Sequence, residues 1–156
     1  MRSSYYNYSV QFSHSNFIFN SSLRIKNSYS DLQSTSYPSY SETYLNNYQI
    51  TPRINYLKKI FNKKINSTYG VDLQYADYES FRRKNADAIP LHDYDAWQSS
   101  QSFYSQQSID INRLLTLGFG FRIQRNITGI GDHLDLNAPD YDGSHTEHLN
   151  MDDEEI

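Results

Sequence analysis

The chain has 156 residues and a formal net charge of −4, and that length suffices for one domain with a real core. Apolar residues make up 37%, below the roughly 45–50% of soluble domains. Yet 15 Tyr and 8 Phe exclude an ordinary disordered chain, which is poor in aromatics, and the absence of Cys excludes disulfide scaffolds and thiolate metal sites.

No apolar run approaches the ~20 residues of a transmembrane helix, which leaves a β-barrel open. Residues 1–8 lack the basic start and apolar core of a secretory signal. Charge is unevenly placed. All 14 Lys and Arg lie in residues 1–125, whereas half of the 18 Asp and Glu lie in residues 126–156.

Residues 5–12 alternate, with Tyr6, Tyr8, Val10 and Phe12 against Asn7, Ser9, Gln11 and Ser13. That period of two is the mark of a strand with one apolar and one polar side. A short turn is expected at 13–16. A second strand follows over 17–29, with Phe17, Phe19, Leu23, Ile25 and Tyr29 on one face and Asn20, Ser22, Arg24 and Lys26 on the other. Residues 30–43, rich in Ser and Tyr with one Pro38, read as a long loop. The third strand, 44–57, sets Tyr48, Ile50, Ile54 and Tyr56 against Gln49, Thr51, Arg53 and Asn55. Pro52 removes a ladder donor, so a bulge or local edge is expected there. A basic turn spans 58–66. The fourth strand, 67–80, sets Tyr69, Val71, Leu73 and Tyr75 against Gly70, Asp72, Gln74 and Ala76. Residues 81–98 read as a second long loop.

Residues 103–125 read as two strands joined by a tight turn at 112–113. Leu115, Leu117, Phe119, Phe121 and Ile123 share one face, and Thr116, Gly118, Gly120, Arg122 and Gln124 share the other. Phe103, Ile109 and Ile111 continue the pattern more weakly.

Every second connection is short, the layout of a membrane barrel. The strands match the ~9–11 residues that a tilted strand needs to cross a bilayer. Arg24, Lys26, Arg53, Asp72, Asp110 and Arg122 all take the polar parity. Tyr48, Tyr56, Tyr69 and Tyr75 flank apolar centres, as an aromatic girdle requires, although Tyr is also a good strand former.

The hairpin resembles one found in TonB-dependent outer-membrane receptors. That family's hairpin has an aromatic, a Gln two residues on, a polar run, Asn or Asp with Arg, alternating Leu, and a closing Gly-apolar-Arg-aromatic. Here these are Tyr104, Gln106, Asn112, Arg113, Leu115, Leu117, Gly120, Phe121 and Arg122, with Ile123 in place of the last aromatic. Gln107 stands where an acidic residue is common. The match covers about twenty residues; the remainder agrees only in texture.

The fold class expected is all-β. It is an antiparallel up-and-down meander of about six long strands, part of a transmembrane β-barrel. Residues 1–126 would be the partial barrel, with short periplasmic turns near 13–16, 58–66 and 112–113. Residues 127–156 would be an acidic extracellular loop with poor order. The resemblance implies a bacterial outer-membrane location and import of a scarce nutrient of the iron-siderophore, haem or cobalamin class. It also implies TonB, a plug domain and outer-membrane lipid as partners, with a small-molecule metal complex as ligand. A barrel of that family has about 22 strands, so six would be a fragment lacking signal, plug and further strands. The rivals are another outer-membrane barrel, such as a porin or secretion pore, and a soluble β-sandwich binding module.

Candidate ligand-binding residues lie in the second long loop: Arg82, Arg83, Lys84, His92 and Trp97. A basic cluster there suits an anion, against the plainer reading of a solvated loop base. Arg24, Arg53, Gln74 and Arg122 are expected to face a lumen. In the tail, His133, Asp135, Asp140, Asp142, His145 and His148 are metal-ligating types. His145 and His148 are spaced for one helical face, but no apolar stripe supports a helix. Asp135, Asn137, Asp140, Asp142 and Gly143 are oxygen-rich, yet their spacing is not that of an EF-hand. A solvated charged loop is the plainer reading. No catalytic motif, cofactor or nucleic-acid partner is expected; Asp93 and Asp95 have no partner that spacing identifies.

Overall fold

The computed structural model describes residues 1–34, 39–112, 114–138, 141–143 and 151–155, with backbone alone at 34, 39 and 151–155. They form one antiparallel sheet of eight strands: β1 (Arg2–His14), β2 (Phe17–Ser34), β3 (Ser39–Ile50), β4 (Arg53–Ile60), β5 (Lys63–Arg83), β6 (His92–Asp110), β7 (Thr116–Leu134) and β8 (Met151–Glu155). The order is β1-β2-β3-β5-β6-β7-β8, and β4 lies in line with β3 between β2 and β5. Apart from β3 and β4, which lie end to end, chain neighbours are sheet neighbours, as in a meander. The first and last strands do not pair with each other, so the sheet is open. No helix among the described residues is long and apolar enough to cross a membrane.

Six strands were expected and eight are present. The third expected strand is two, split at Thr51 and Pro52. The expected bulge is absent. Leu23 pairs Ile50 and Phe19 pairs Ile54, so register runs through the break unshifted. On the other side Ile50 pairs Leu73 and Ile54 pairs Tyr69, again without a slip. Pro52 lacks only its donor; its carbonyl still accepts from Val71 N at 3.0 Å, and Thr51 N donates to Ser22 O at 3.0 Å.

The connections are shorter than the sequence implied. The expected 30–43 loop is mostly ladder, from Tyr29 opposite Tyr44 to Ser34 opposite Ser39; Pro38 lies outside the described residues. The basic turn narrows to Phe61 and Asn62, both at positive φ (47° and 62°). The 81–98 loop shrinks to residues 84–91. Residues 127–134, assigned to the tail, continue β7, and β8 pairs with residues 126–130 of β7. In each case the strands run on beyond the alternating stretch, where polar residues stand on both faces among scattered apolar ones and periodicity is silent. The 112–113 turn goes the other way, because the strands stop at Asp110 and Thr116. Asn112 Oδ1 accepts from Leu114 N (2.8 Å) and Leu115 N (2.9 Å), which closes the turn. Arg113 lies outside the described residues.

The strands of 18 to 21 residues, β2, β5, β6 and β7, are far longer than the five or six typical of about every soluble sheet. Register gathers the apolar residues on one face: Tyr8 opposite Leu23, Phe12 opposite Phe19, Val71 opposite Phe103, Phe103 opposite Ile123. That face is bare. Phe119 is 72% exposed and Ile123 61% exposed. Among the described residues only Leu91 and Ala138 are buried apolar side chains. A sandwich buries one face of each of two sheets; here there is a single layer, so the sandwich expectation is corrected.

Candidate functional site

Two faces and two ends carry the chemistry. The apolar face is a band. On β5 it runs from Ile65 to Tyr75 through Tyr69, Val71 and Leu73. Ten steps at ~3.3 Å, tilted about 40°, give a height of about 25 Å, the thickness of the outward band of a membrane barrel. No charged side chain on this face falls between Tyr6 and Phe12, Phe17 and Ile25, Ile65 and Tyr75, or Leu117 and Ile123. On β6 the band holds Ser105 and Gln107, which answer each other through Gln107 Nε2 to Ser105 Oγ at 3.1 Å.

The opposite face is polar and cross-linked between strands. Arg53, Gly70, Tyr104 and Arg122 form one row across β4, β5, β6 and β7. Arg53 Nε donates to Tyr104 Oη at 2.6 Å, with its guanidinium carbon 5.7 Å from the ring centre. The Tyr104 ring lies over Gly70, where a Cβ would come within 2.2 Å of it. Arg122 pairs with Asp72 at 3.3 Å, and Ser102 Oγ donates to the same carboxylate oxygen at 3.4 Å. Arg24, Gln49 and Gln74 form a second row. Thus Arg24, Arg53, Gln74 and Arg122, grouped from the sequence by parity, lie on one face. Arg24 and Arg53 line a shallow hollow of about 350 Å³ with Asn20 and Asn55.

The long-connection end divides the ligand candidates. Arg83 turns to Glu42 in an ion pair, and Glu42 also accepts from Tyr29 Oη at 3.1 Å. Arg82 stands directly opposite His92, so these two share a face and Arg83 takes the other. Lys84 is exposed and Trp97 half-buried opposite Asp77. Arg82, Arg83 and Lys84 are thus not one anion site. His92 is buried, with Nδ1 2.9 Å from Asp132 Oδ1 and its ring stacked on Tyr94 at 5.2 Å. The pair is walled by Leu91, whose N donates to Arg82 O (2.9 Å) and whose O accepts from Asp135 N (3.1 Å). Sequence reasoning missed Asp132 as the partner of His92, because only register brings residues 40 apart together. Burial raises the Asp93 carboxyl above its ordinary value; His133 opposes this, while Asp95 and Asp132 add to it. Burial likewise raises Tyr94, with Asp132 adding.

Of the metal-ligating candidates, His133 Nε2 sits 3.2 Å from Asp95 Oδ1, and Asp135 Oδ1 accepts from Asn137 N at 2.9 Å. Asp142 lies in a short described stretch; Asp140, His145 and His148 lie outside the described residues. Among the described residues no group of three His, Asp or Glu is placed to hold a metal.

The fold has a counterpart. The crystal structure of the unliganded ferric citrate transporter FecA superposes with a TM-score of 0.69 at 12% identity. The chain shares its fold with part of that transporter. The alignment covers 98% of this chain and 23% of the transporter's, so the chain spans about a quarter of its length. No family model and no curated protein matches the sequence.

Proposed function

We propose that the chain forms part of the wall of an outer-membrane β-barrel transporter. On this reading the whole protein imports a scarce nutrient of the iron-siderophore, haem or cobalamin class. The long connections would face the outside, and a plug domain would sit against the polar row of Arg53, Tyr104 and Arg122. TonB would supply the drive. The chain is given no catalytic role. The observation that carries the reading is the bare apolar band: about 25 Å tall, free of charge, on one side of a single-layer sheet. Such a face is stable only against lipid or another apolar surface. The likeness to FecA supports the barrel and the transport class.

The chain has no Cys, so single cysteines can carry a reporter. Phe121→Cys and Arg122→Cys, each labelled with an environment-sensitive dye, should separate in vesicles of brominated lipid. The Phe121 site should be quenched and the Arg122 site should not. Equal quenching at both would sink the lipid-facing reading. Loss of TonB-dependent uptake on deletion of the gene, tested with ferric siderophore, haem and cobalamin, identifies the nutrient. A deletion that instead abolishes passive, TonB-independent permeation would favour a porin.

A further inference from the structure

We propose that the buried His92–Asp132 pair is a latch that folds the β5–β6 connection and residues 135–138 into one unit, so that the two open together. The inference goes beyond the reading as a barrel wall, which decides only the side of the membrane that the latch faces.

The single-layer sheet encloses little, and what it encloses most tightly is here. Glycine aside, Leu91, His92 and Asp132 are the most enclosed of the described residues, each at 3% exposure or less. Ala138 is the other buried apolar residue. Backbone bonds string these stretches together. Leu91 N donates to Arg82 O at 2.9 Å, Asp135 N to Leu91 O at 3.1 Å, and Ala138 N to Asp135 O at 3.1 Å. Leu91 is thus held from both sides, by β5 and by the stretch that follows β7. These bonds lie past the last ladder pairs, Arg82 opposite His92 and His92 opposite Leu134. Strand pairing alone therefore does not account for them.

The side chains supply the clasp. His92 Nδ1 stands 2.9 Å from Asp132 Oδ1, and the His92 ring stacks on Tyr94 with centres 5.2 Å apart. An ionised carboxylate only accepts, so Nδ1 carries the proton. In an enclosed site such a bond is stronger than in water, and either group left alone becomes a buried polar group without its partner. Asp132 stands opposite Tyr94, so the bond to His92 crosses diagonally between β6 and β7 on the polar face. It joins the residue that closes the β5–β6 connection to one two residues before the end of β7. Breaking it frees both ends at once, Leu91 beside His92 and Asp135 three residues beyond Asp132. The other His–Asp pair of the same two strands differs. His133 and Asp95, 3.2 Å apart, lie on the opposite face with side chains 68% and 45% exposed. Pairs so exposed contribute little.

The test is amide hydrogen exchange on the full chain in detergent micelles. The amide of Leu91 reports the connection, that of Asp135 the crossing, and that of Ala138 the later stretch. In His92→Ala and in Asp132→Ala all three should exchange faster by one common factor. That factor should be on the order of ten- to a hundredfold, the worth of a hydrogen bond to a charged group. The double variant should add nothing further, because the two residues act as one pair. His92→Asn, whose amide N–H can stand where Nδ1–H stood, should recover most of the protection. Asp95→Ala, which breaks the exposed pair, should change none of the three. The amides of Thr51 and Val71, bonded in mid-sheet, should stay protected throughout. Unchanged protection in either His92→Ala or Asp132→Ala overturns the proposal, as do unequal factors at Leu91 and Ala138. An equal loss in Asp95→Ala overturns it too. Failure of His92→Asn to recover would assign the effect to the ring stacked on Tyr94 and not to the bond. Loss of protection at Thr51 and Val71 would make the pair a support of the whole sheet and end the idea of a local latch.

Discussion

Gly70 is held to its identity by Tyr104. The ring lies where a Cβ would go, 2.2 Å from Cζ, and the ring is fixed in turn by Arg53. Gly70→Ala must push Tyr104 off the sheet and break that bond, which should cost about 1–3 kcal/mol, the usual range for overpacking. Urea unfolding in detergent micelles measures it. In a cycle with Tyr104→Ala the two costs should be strongly non-additive, because residues in contact couple. Asp93 gives a second residue-scale prediction. Burial raises its carboxyl above 3.8, so the folded state favours the protonated form. The stability from that proton is full below the unfolded value and is lost as pH rises through the folded one. Asp93→Asn should therefore stabilise the long-connection end at neutral pH and flatten its pH dependence. The gain should stay below about 1 kcal/mol because the group is half-exposed and screened. Amide exchange of β6 and β7 from pH 4 upwards, read as roughly unit steps about the reference carboxylate value, reports it. Parity in the sequence was enough to put Arg24, Arg53, Gln74 and Arg122 on one face. It could not say that Arg83 meets Glu42 or His92 meets Asp132, since those pairs depend on which strand residue stands opposite which.

The β4–β5 hairpin turns on two residues in the left-handed region, Phe61 and Asn62. A two-residue turn of this kind wants Asn or Asp followed by Gly. Asn62 tolerates the conformation; Phe61, 95% exposed at the tip, gains no burial for it. A non-glycine residue there costs about 1–2 kcal/mol. Phe61→Asn should recover roughly 0.5–1 kcal/mol of that, since Asn visits the region more readily. The check is the denaturation midpoint, with Ile60 and Lys63 unchanged. The same scale explains what the sequence left hidden about element lengths. Alternation is visible only where one face is apolar and the other polar. β2, β3, β5, β6 and β7 run on beyond the band, where polar residues stand on both faces. There Thr43 bonds Ser80 at 3.3 Å and Asn46 bonds Asp77 at 2.8 Å across strands. These pairs build ladder without writing a period, so the ends read as loops. Pro52 misled in the other direction. A missing donor reads as a bulge, but the carbonyl of Pro52 and the N–H of Thr51 keep register on both sides.

Taken whole, the molecule is a sheet with a depth-dependent face and two open edges. β1 pairs only with β2, and residues 116–125 of β7 have no partner on their outer side among the described residues. Unpaired ladder groups cannot stand in lipid, so the lipid-facing reading requires further strands on both sides, as a wall segment of a larger barrel has. The depth dependence is the sharper consequence. An arginine on the lipid face costs about 2–4 kcal/mol at mid-bilayer and about 0–1 near the interface. Val71 sits at the middle of the band on β5, Ile65 at its short-turn edge, and Gln74 on the other face. Val71→Arg should therefore be costly, Ile65→Arg nearly neutral and Gln74→Arg neutral, measured as folding free energy in vesicles. The same three substitutions in urea-containing buffer without lipid should show no such gradient, because every site then faces water. A flat profile in vesicles would mean that the band meets something other than a bilayer. A cost at Gln74 as large as that at Val71 would mean that both faces are buried, and the single-layer wall would have to give way to a sheet packed against a second one.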